Sequence, residues 1–301
     1  MTETASQAPT TEKTESQMQD KPNGPAANRG KKSEQAASQA QEQQSSTEAS
    51  PIEMNSTDVH FIMQGKGGVG KTTASALLGQ YLKGIDTDTV CVDVDPVNSS
   101  FSDFKALNPV ALPIMNDGAI DQRAFDDLME MIAEKPHTFV VDSGASTFLP
   151  LTQYLADGPV FSILKQLGRR PVFHSIITGG PGQAHTMQGL ATLLESVPTD
   201  ADVVLWINEY HGFGKITDKD GNEDWRNLAI IKNNMDRFRG IIQLVGLNQQ
   251  THGADMRDLL SKGMTFDEAL KPGSGFKLMA QARLRDVWAH LQADLAHVVP
   301  S

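Results

Sequence analysis

From residue 58 onward, short apolar runs alternate with stretches in which apolar residues recur every three or four positions. A short apolar run closed by turn residues reads as a buried strand, and the longer period reads as one face of a helix. Val59-His60-Phe61-Ile62-Met63 is the first strand and runs into a glycine-rich turn. Leu77, Leu78, Tyr81 and Leu82 then predict a helix over Thr73 to Lys83, stopped by Gly84. Five more strands are predicted at Thr89 to Val94, Thr138 to Val141, Val172 to Ile177, Val203 to Ile207 and Ile241 to Val245. Helices are expected through Phe125, Leu128, Met129 and Ile132, through Met187, Leu190 and Leu194, and from about Gly275 to His297 through Leu278, Leu284, Val287, Trp288, Leu291 and Leu295. Strands alternating with helices imply an α/β fold: a mostly parallel β-sheet with helices on both faces, ligands lying beyond the carboxyl ends of the strands.

Residues 1–56 follow a different pattern. They are rich in Gln, Ser, Thr, Glu and Ala and contain no aromatic residue. Such a segment buries too little apolar surface to offset its ordering entropy, and it reads as a disordered low-complexity tail ahead of a domain spanning 57–301. The 301 residues carry a net charge of −11, which argues against a broadly basic nucleic-acid surface. Lys232, Arg237 and Arg239 form a modest basic cluster; it reads first as a solvated helix face and second as a non-specific DNA contact. No apolar run reaches the length of a membrane span, and no charged-then-apolar leader is seen. The single cysteine, Cys91, cannot by itself supply a disulfide or a cysteine-ligated cluster, and a reducing cytoplasm is expected. His60, His174 and His185 have no metal-ligand spacing and read as structural.

The chemistry is concentrated after the first strand. Gly65-Lys66-Gly67-Gly68-Val69-Gly70-Lys71-Thr72 satisfies G-x-x-x-x-G-K-[ST] between a predicted strand and a predicted helix. Glycines let the backbone curve around a phosphate with its N–H groups inward, and the helix N-terminus adds positive potential. Lys71 is placed for the β- and γ-phosphates, and the Thr72 hydroxyl for Mg²⁺. With Gly near 7% of residues, the generic pattern arises by chance in a chain of this length about one time in a hundred. Asp142 follows the apolar strand Thr138 to Val141 and would deliver a carboxylate to the Mg²⁺ side of the loop. Asp93 and Asp95, two apart, are expected on one face of the second strand, pointing toward the site.

Lys66, followed by Gly67 and Gly68, makes the loop resemble the deviant Walker A motif of the MinD/ParA ATPases. The resemblance implies a P-loop NTPase fold of MinD/ParA type, with ATP and Mg²⁺ as cofactors and a nucleotide-dependent homodimer in which Lys66 reaches the partner's nucleotide. It further implies that Asp95 orients the attacking water, that Asp93 belongs to the outer shell of Mg²⁺, that Thr73 lies near the α-phosphate, and that Asn208 holds the adenine. A turn-forming Asn208 is the competing reading. Ser143-Gly144-Ala145-Ser146 departs from the D-x-P-P of many ParA proteins.

The likeness extends further. Asp93-Val94-Asp95-Pro96-Val97-Asn98, Lys105-Ala106-Leu107-Asn108, Asp142-Ser143-Gly144-Ala145-Ser146, Thr178-Gly179-Gly180 and Met264 to Leu270 look like the TraL proteins of conjugative plasmids. That implies an ATP-driven switch tied to plasmid transfer or maintenance, with a transfer or partition protein as partner. The alternatives are an ATP-dependent ligase or kinase of the same fold, and a membrane-associated positioning ATPase. The last would need a basic C-terminal amphipathic helix, whereas Asp286 and Asp294 dilute this one, so packing on the sheet is expected.

Overall fold

Alternation along the strands sorts their side chains into two cores. On one face, Ile62, Val140, Val172, Ile176, Val204, Trp206, Ile242 and Leu244 form one cluster; on the other, Val59, Phe61, Val92, Val141, Phe173, Val203, Leu205 and Ile207 form a second. Both faces of such strands are buried, so they read as continuous apolar runs. The computed structural model describes residues 57–210 and 214–299. The tail expected over 1–56 lies outside the described residues.

Nine strands and nine α-helices are present among the described residues. The strands are β1 (Thr57–Ile62), β2 (Val90–Val94), β3 (Val110–Ala111), β4 (Met115–Asn116), β5 (Ala119–Ile120), β6 (Phe139–Ser143), β7 (Arg169–Thr178), β8 (Asp202–Asn208) and β9 (Phe238–Leu244). The helices are α1 (Lys71–Ile85), α2 (Ala124–Glu134), α3 (Phe148–Asp157), α4 (Val160–Gln166), α5 (Gln183–Ser196), α6 (Ala229–Lys232), α7 (His252–Ser261), α8 (Phe266–Ala269) and α9 (Leu278–Val298). Seven strands form one sheet in the order β3-β2-β6-β1-β7-β8-β9, with every pairing parallel, and β4 and β5 form a separate antiparallel hairpin. The chain leaves β1 toward β2 on one side and later builds β7, β8 and β9 on the other. The crevice expected at such a reversal therefore opens at the carboxyl end of central β1.

Helices α1, α7, α8 and α9 cover one core; α2, α3, α4 and α5 cover the other. α9 packs its Leu284, Trp288, Leu291 and Leu295 inward, with Trp288 stacked on Phe266 at 4.8 Å. That packing matches the expectation for this helix, except that Leu278 at its start faces solvent. α1 continues one residue beyond Gly84, which is exposed and meets nothing. No helix among the described residues is long and apolar enough to cross a membrane.

The basic cluster divides: Lys232 is exposed at the end of α6, as a solvated helix face would have it, whereas the two arginines are tied into the fold. Arg237 donates to the carbonyls of Leu194 and Pro198, and Arg239 lies in the sheet, 3.0 Å from Asp58 and 3.2 Å from Asp202. These guanidiniums hold the fold together and offer neither a solvated helix face nor a charged patch.

Candidate functional site

The loop after β1 is held from below. Gln64 is wholly buried; its Oε1 accepts from Gly65 N at 2.9 Å, and its Nε2 donates to the carbonyls of Ile176 and Thr186 at 2.9 and 3.0 Å. At the other end Gly70 caps α1 with φ 96°, and a Cβ there would meet Asn208 Nδ2 at 2.6 Å. Both the left-handed backbone and the close approach require glycine. Asn208 is buried under the loop: Nδ2 donates to Val69 O at 2.9 Å, and Oδ1 accepts from Tyr210 N at 3.0 Å. The second bond is the turn the sequence left open beside the base contact; the first makes Asn208 a brace for the loop.

Lys71 opens α1, is buried, and donates to Lys66 O at 3.2 Å. Burial pulls its ammonium below the usual lysine range, opposed by the charges of Asp142 and Asp95. Lys66 is exposed. Thr72 donates to Asp142 Oδ2 at 2.8 Å, and Ser75, one turn on, donates to Asp142 Oδ1 at 2.7 Å. Burial raises the Asp142 carboxyl to about 7, against the two hydroxyl bonds that favour its ionised form.

Asp93 and Asp95 separate. β2 ends at Val94, so Asp95 lies in the following loop and is half-buried. Its Oδ1 accepts from Val97 N and Asn98 N at 2.9 and 3.1 Å. Its carboxyl rests on Gly144, where a Cβ would fall 2.5 Å from Oδ1. The departure at Ser143-Gly144-Ala145-Ser146 thus has a local reason: the small residue makes room for Asp95. Asp93 stays within β2, beside Asp142 in register, and points into the loop's own backbone. It accepts from Asp95 N through Oδ1 and from the Ser102 N and Oγ through Oδ2, each at 3.1 Å. Burial raises its carboxyl above the usual range.

Gly67, Gly68, Lys71, Thr72, Asp95 and Ser100 line a cavity of ≈ 510 Å³. Thr73 lines this cavity and also a second one of ≈ 440 Å³, walled by Leu77, Tyr210, Leu244, Val245 and Met256. The donor set suits a hard cation held in part by a ligand's own oxygens. Thr72 and Asp142 supply oxygen only, and among the described residues there is no group of three His, Cys, Asp or Glu able to hold a metal unaided. That matches Mg²⁺, which typically takes one or two protein oxygens plus phosphate and water. Sequence reasoning missed Ser75, Ser100 and Ser102. Ser75 alone had a signal, since three residues past Thr72 on a helix is the same face.

The histidines divide. His60 Nδ1 and His174 Nε2 are 2.9 Å apart, and Trp206 Nε1 donates to His174 Nδ1 at 2.9 Å, all fully buried; His185 is exposed on α5. An indole N–H only donates, so His174 carries its proton on Nε2 and gives it to His60 Nδ1. His60 then bears a proton on Nε2, which lacks a hydrogen-bond partner and lies 4.0 Å from Asp58. Burial and the nearby Arg239 and Arg170 lower His60 to about 3, and burial with neighbouring His60 holds His174 well below its usual value.

A glycine loop at a helix N-terminus, a buried lysine and a hydroxyl–carboxylate pair define a P-loop nucleotide-binding protein. Residues 60–266 match the model of the CobQ/CobB/MinD/ParA nucleotide-binding domain. Two Escherichia coli proteins called Protein TraL are similar over most of the chain. One is 38% identical over 237 residues, covering 79% of this chain and 96% of its own; the other is 37% identical over 243 residues, covering 80% and 99%. Among solved structures, the Aquifex aeolicus MinD cell division protein is similar at 14% identity and a TM-score of 0.44, covering 79% of this chain and 97% of its own. The chain belongs to the MinD/ParA nucleotide-binding family and, within it, with the TraL proteins.

Proposed function

We propose that the chain is an ATP-binding and ATP-hydrolysing switch that closes as a sandwich dimer and serves plasmid DNA transfer or maintenance. The observation that carries this reading is that Lys71 and Thr72 line one cavity, with Asp142 buried behind Thr72 and bonded to its hydroxyl, and with the Lys66 side chain exposed on the same loop. Lys71 offsets charge on the β- and γ-phosphates, and the loop amides of Gly65 to Gly70 cradle them. Thr72 and Asp142 hold Mg²⁺, whose chemistry there is to neutralise phosphate charge. Thr73, at the junction of the two cavities, lies beside the α-phosphate. The apolar second cavity suits the base, and the Asn208 brace sets the loop's distance from it. Asp95 orients the attacking water, and Asp93 fixes the loop that carries Asp95. Lys66 crosses to the partner's nucleotide and stabilises charge on the transferring phosphoryl group, as a cation supplied in trans. With that cation missing from a lone chain, turnover of ATP and water to ADP and phosphate is slow until dimerisation or a partner stimulates it. The transfer role rests on kinship with the TraL proteins, which also favours ATP over GTP.

Size-exclusion runs with a non-hydrolysable ATP analogue test the switch. The wild-type chain elutes as a dimer with analogue and Mg²⁺, and Lys66→Ala elutes as a monomer. A Lys66→Ala protein that dimerises like wild type removes the sandwich.

A further inference from the structure

We infer that Ser100 is a further protein ligand of the metal, beside Thr72 and Asp142, delivered by the loop that follows β2; this rests on the nucleotide-switch reading. Ser100 Oγ lies 3.0 Å from Thr72 Oγ1, and both groups line the ≈ 510 Å³ cavity. Neighbouring oxygens on an octahedral Mg²⁺ with bonds of about 2.0–2.1 Å stand about 3 Å apart. The two hydroxyls therefore already hold the spacing of adjacent ligands. Thr72 gives its single proton to Asp142 and receives that of Ser100. Its remaining lone pair is free for a cation, and Ser100 can turn its own lone pairs the same way.

The consequence lies in what Ser100 is attached to. The segment from Asp95 to Ser102 is folded on its own carboxylates: Asp95 Oδ1 takes the Val97 and Asn98 amides, and Asp93 takes Ser102. Ser99 Oγ closes back on Asp95 O at 3.1 Å. A unit tied in this way moves together, so a cation gripped by Ser100 and Thr72 fixes where Asp95 stands. Metal occupancy is thereby read out at the residue proposed to orient water, through a side chain outside the phosphate-loop motif.

The test uses the full chain with AMPPNP and Mn²⁺, the metal's affinity being followed by electron paramagnetic resonance. AMPPNP affinity in EDTA is measured alongside and reports the fold and the phosphate loop. Ser100→Ala is expected to weaken Mn²⁺ binding at least about tenfold, the lower bound for losing a group that supports a metal site, with AMPPNP affinity in EDTA unchanged. Ser100→Cys replaces a hard oxygen by a soft sulfur, so it is expected to lose Mg²⁺ and regain tight binding with Cd²⁺. Wild-type Mn²⁺ affinity in Ser100→Ala, or a cysteine variant without a gain for Cd²⁺, overturns ligation by Ser100 and leaves the nucleotide site standing. A wild-type chain that takes up no AMPPNP with or without metal overturns both.

Discussion

Two groups of buried polar side chains lie on the same face of the sheet and have opposite fates. At the carboxyl end of β6, Asp142 is gripped by Thr72 and Ser75, and the arrangement opens on a cavity through Thr72. Deeper in, His60, His174 and Trp206 form a sealed chain ending in an imidazole N–H with no hydrogen-bond partner. Both groups set a desolvation cost against hydrogen bonds, and burial is the first cause of the shift in each. The open group keeps an ionisable carboxyl near neutrality behind a hydroxyl that lines the cavity. The sealed group keeps two neutral rings and fixes three strands to one another. Burial of polar groups marks a functional site only where the group also reaches a cavity.

The two groups also pull pH dependence in opposite directions. The folded-state value of His60 is depressed from 6.5 to about 3, so its contribution is complete above about 6.5 and is lost as pH falls toward 3. His60→Phe should flatten the acid limb of stability by about 1.4 kcal/mol per pH unit in that window, read by urea unfolding in EDTA. An unchanged slope would put the imidazole in contact with water. Asp142 is raised from 3.8 to about 7, so its contribution is complete below about 4 and is lost as pH rises through 7. Asp142→Asn should remove a decline of similar slope, on the order of 4 kcal/mol over the window, in metal-free protein. Parallel curves for variant and wild type would mean that Asp142 is solvated. Next in size, Trp206→Phe leaves His174 Nδ1 without its donor and should cost about 1–3 kcal/mol, with AMPPNP affinity unchanged. A large loss of nucleotide affinity in that variant would erase the contrast between the groups. The smallest effect is expected at the rim of the sealed group. Arg170 is 44% exposed beside Asp58, and Arg170→Ala should cost no more than about 1 kcal/mol. The same change at Arg239, 12% exposed and shared between Asp58 and Asp202, should cost more in thermal melts.

Six strands were legible because each is an apolar run, and the phosphate loop because its glycines and lysine have fixed spacing. β7 begins at Arg169, earlier than its apolar run, because Arg170 pairs with Asp58 and Arg169 donates to the carbonyls of Ile132 and His137. Polar residues can enter a strand when such partners wait for them, and partners are invisible in one dimension. α7 escaped notice because only Gly253, Met256 and Leu259 of its ten residues are buried, too few to show a period. β3, β4 and β5 are two residues each, below any window for alternation. The pairing of His60 with His174 joins positions 114 apart, and Ser100 reaches Thr72 across 28 residues from a loop without periodicity. Asp93 and Asp95 share a residue type and a spacing of two, yet the strand stops between them, and they end in different surroundings.

The central claim is that the curved amides after β1, with Lys71 and the Thr72–Asp142 pair, hold a magnesium-bound triphosphate. Isothermal titration of Mg·ATP into the full chain addresses it most directly, with Lys71→Ala as the comparison. Saturable binding by the wild-type chain, weakened about thirtyfold or more in Lys71→Ala, is the predicted result. Absence of binding by folded wild-type protein, or equal binding by both chains, would contradict it.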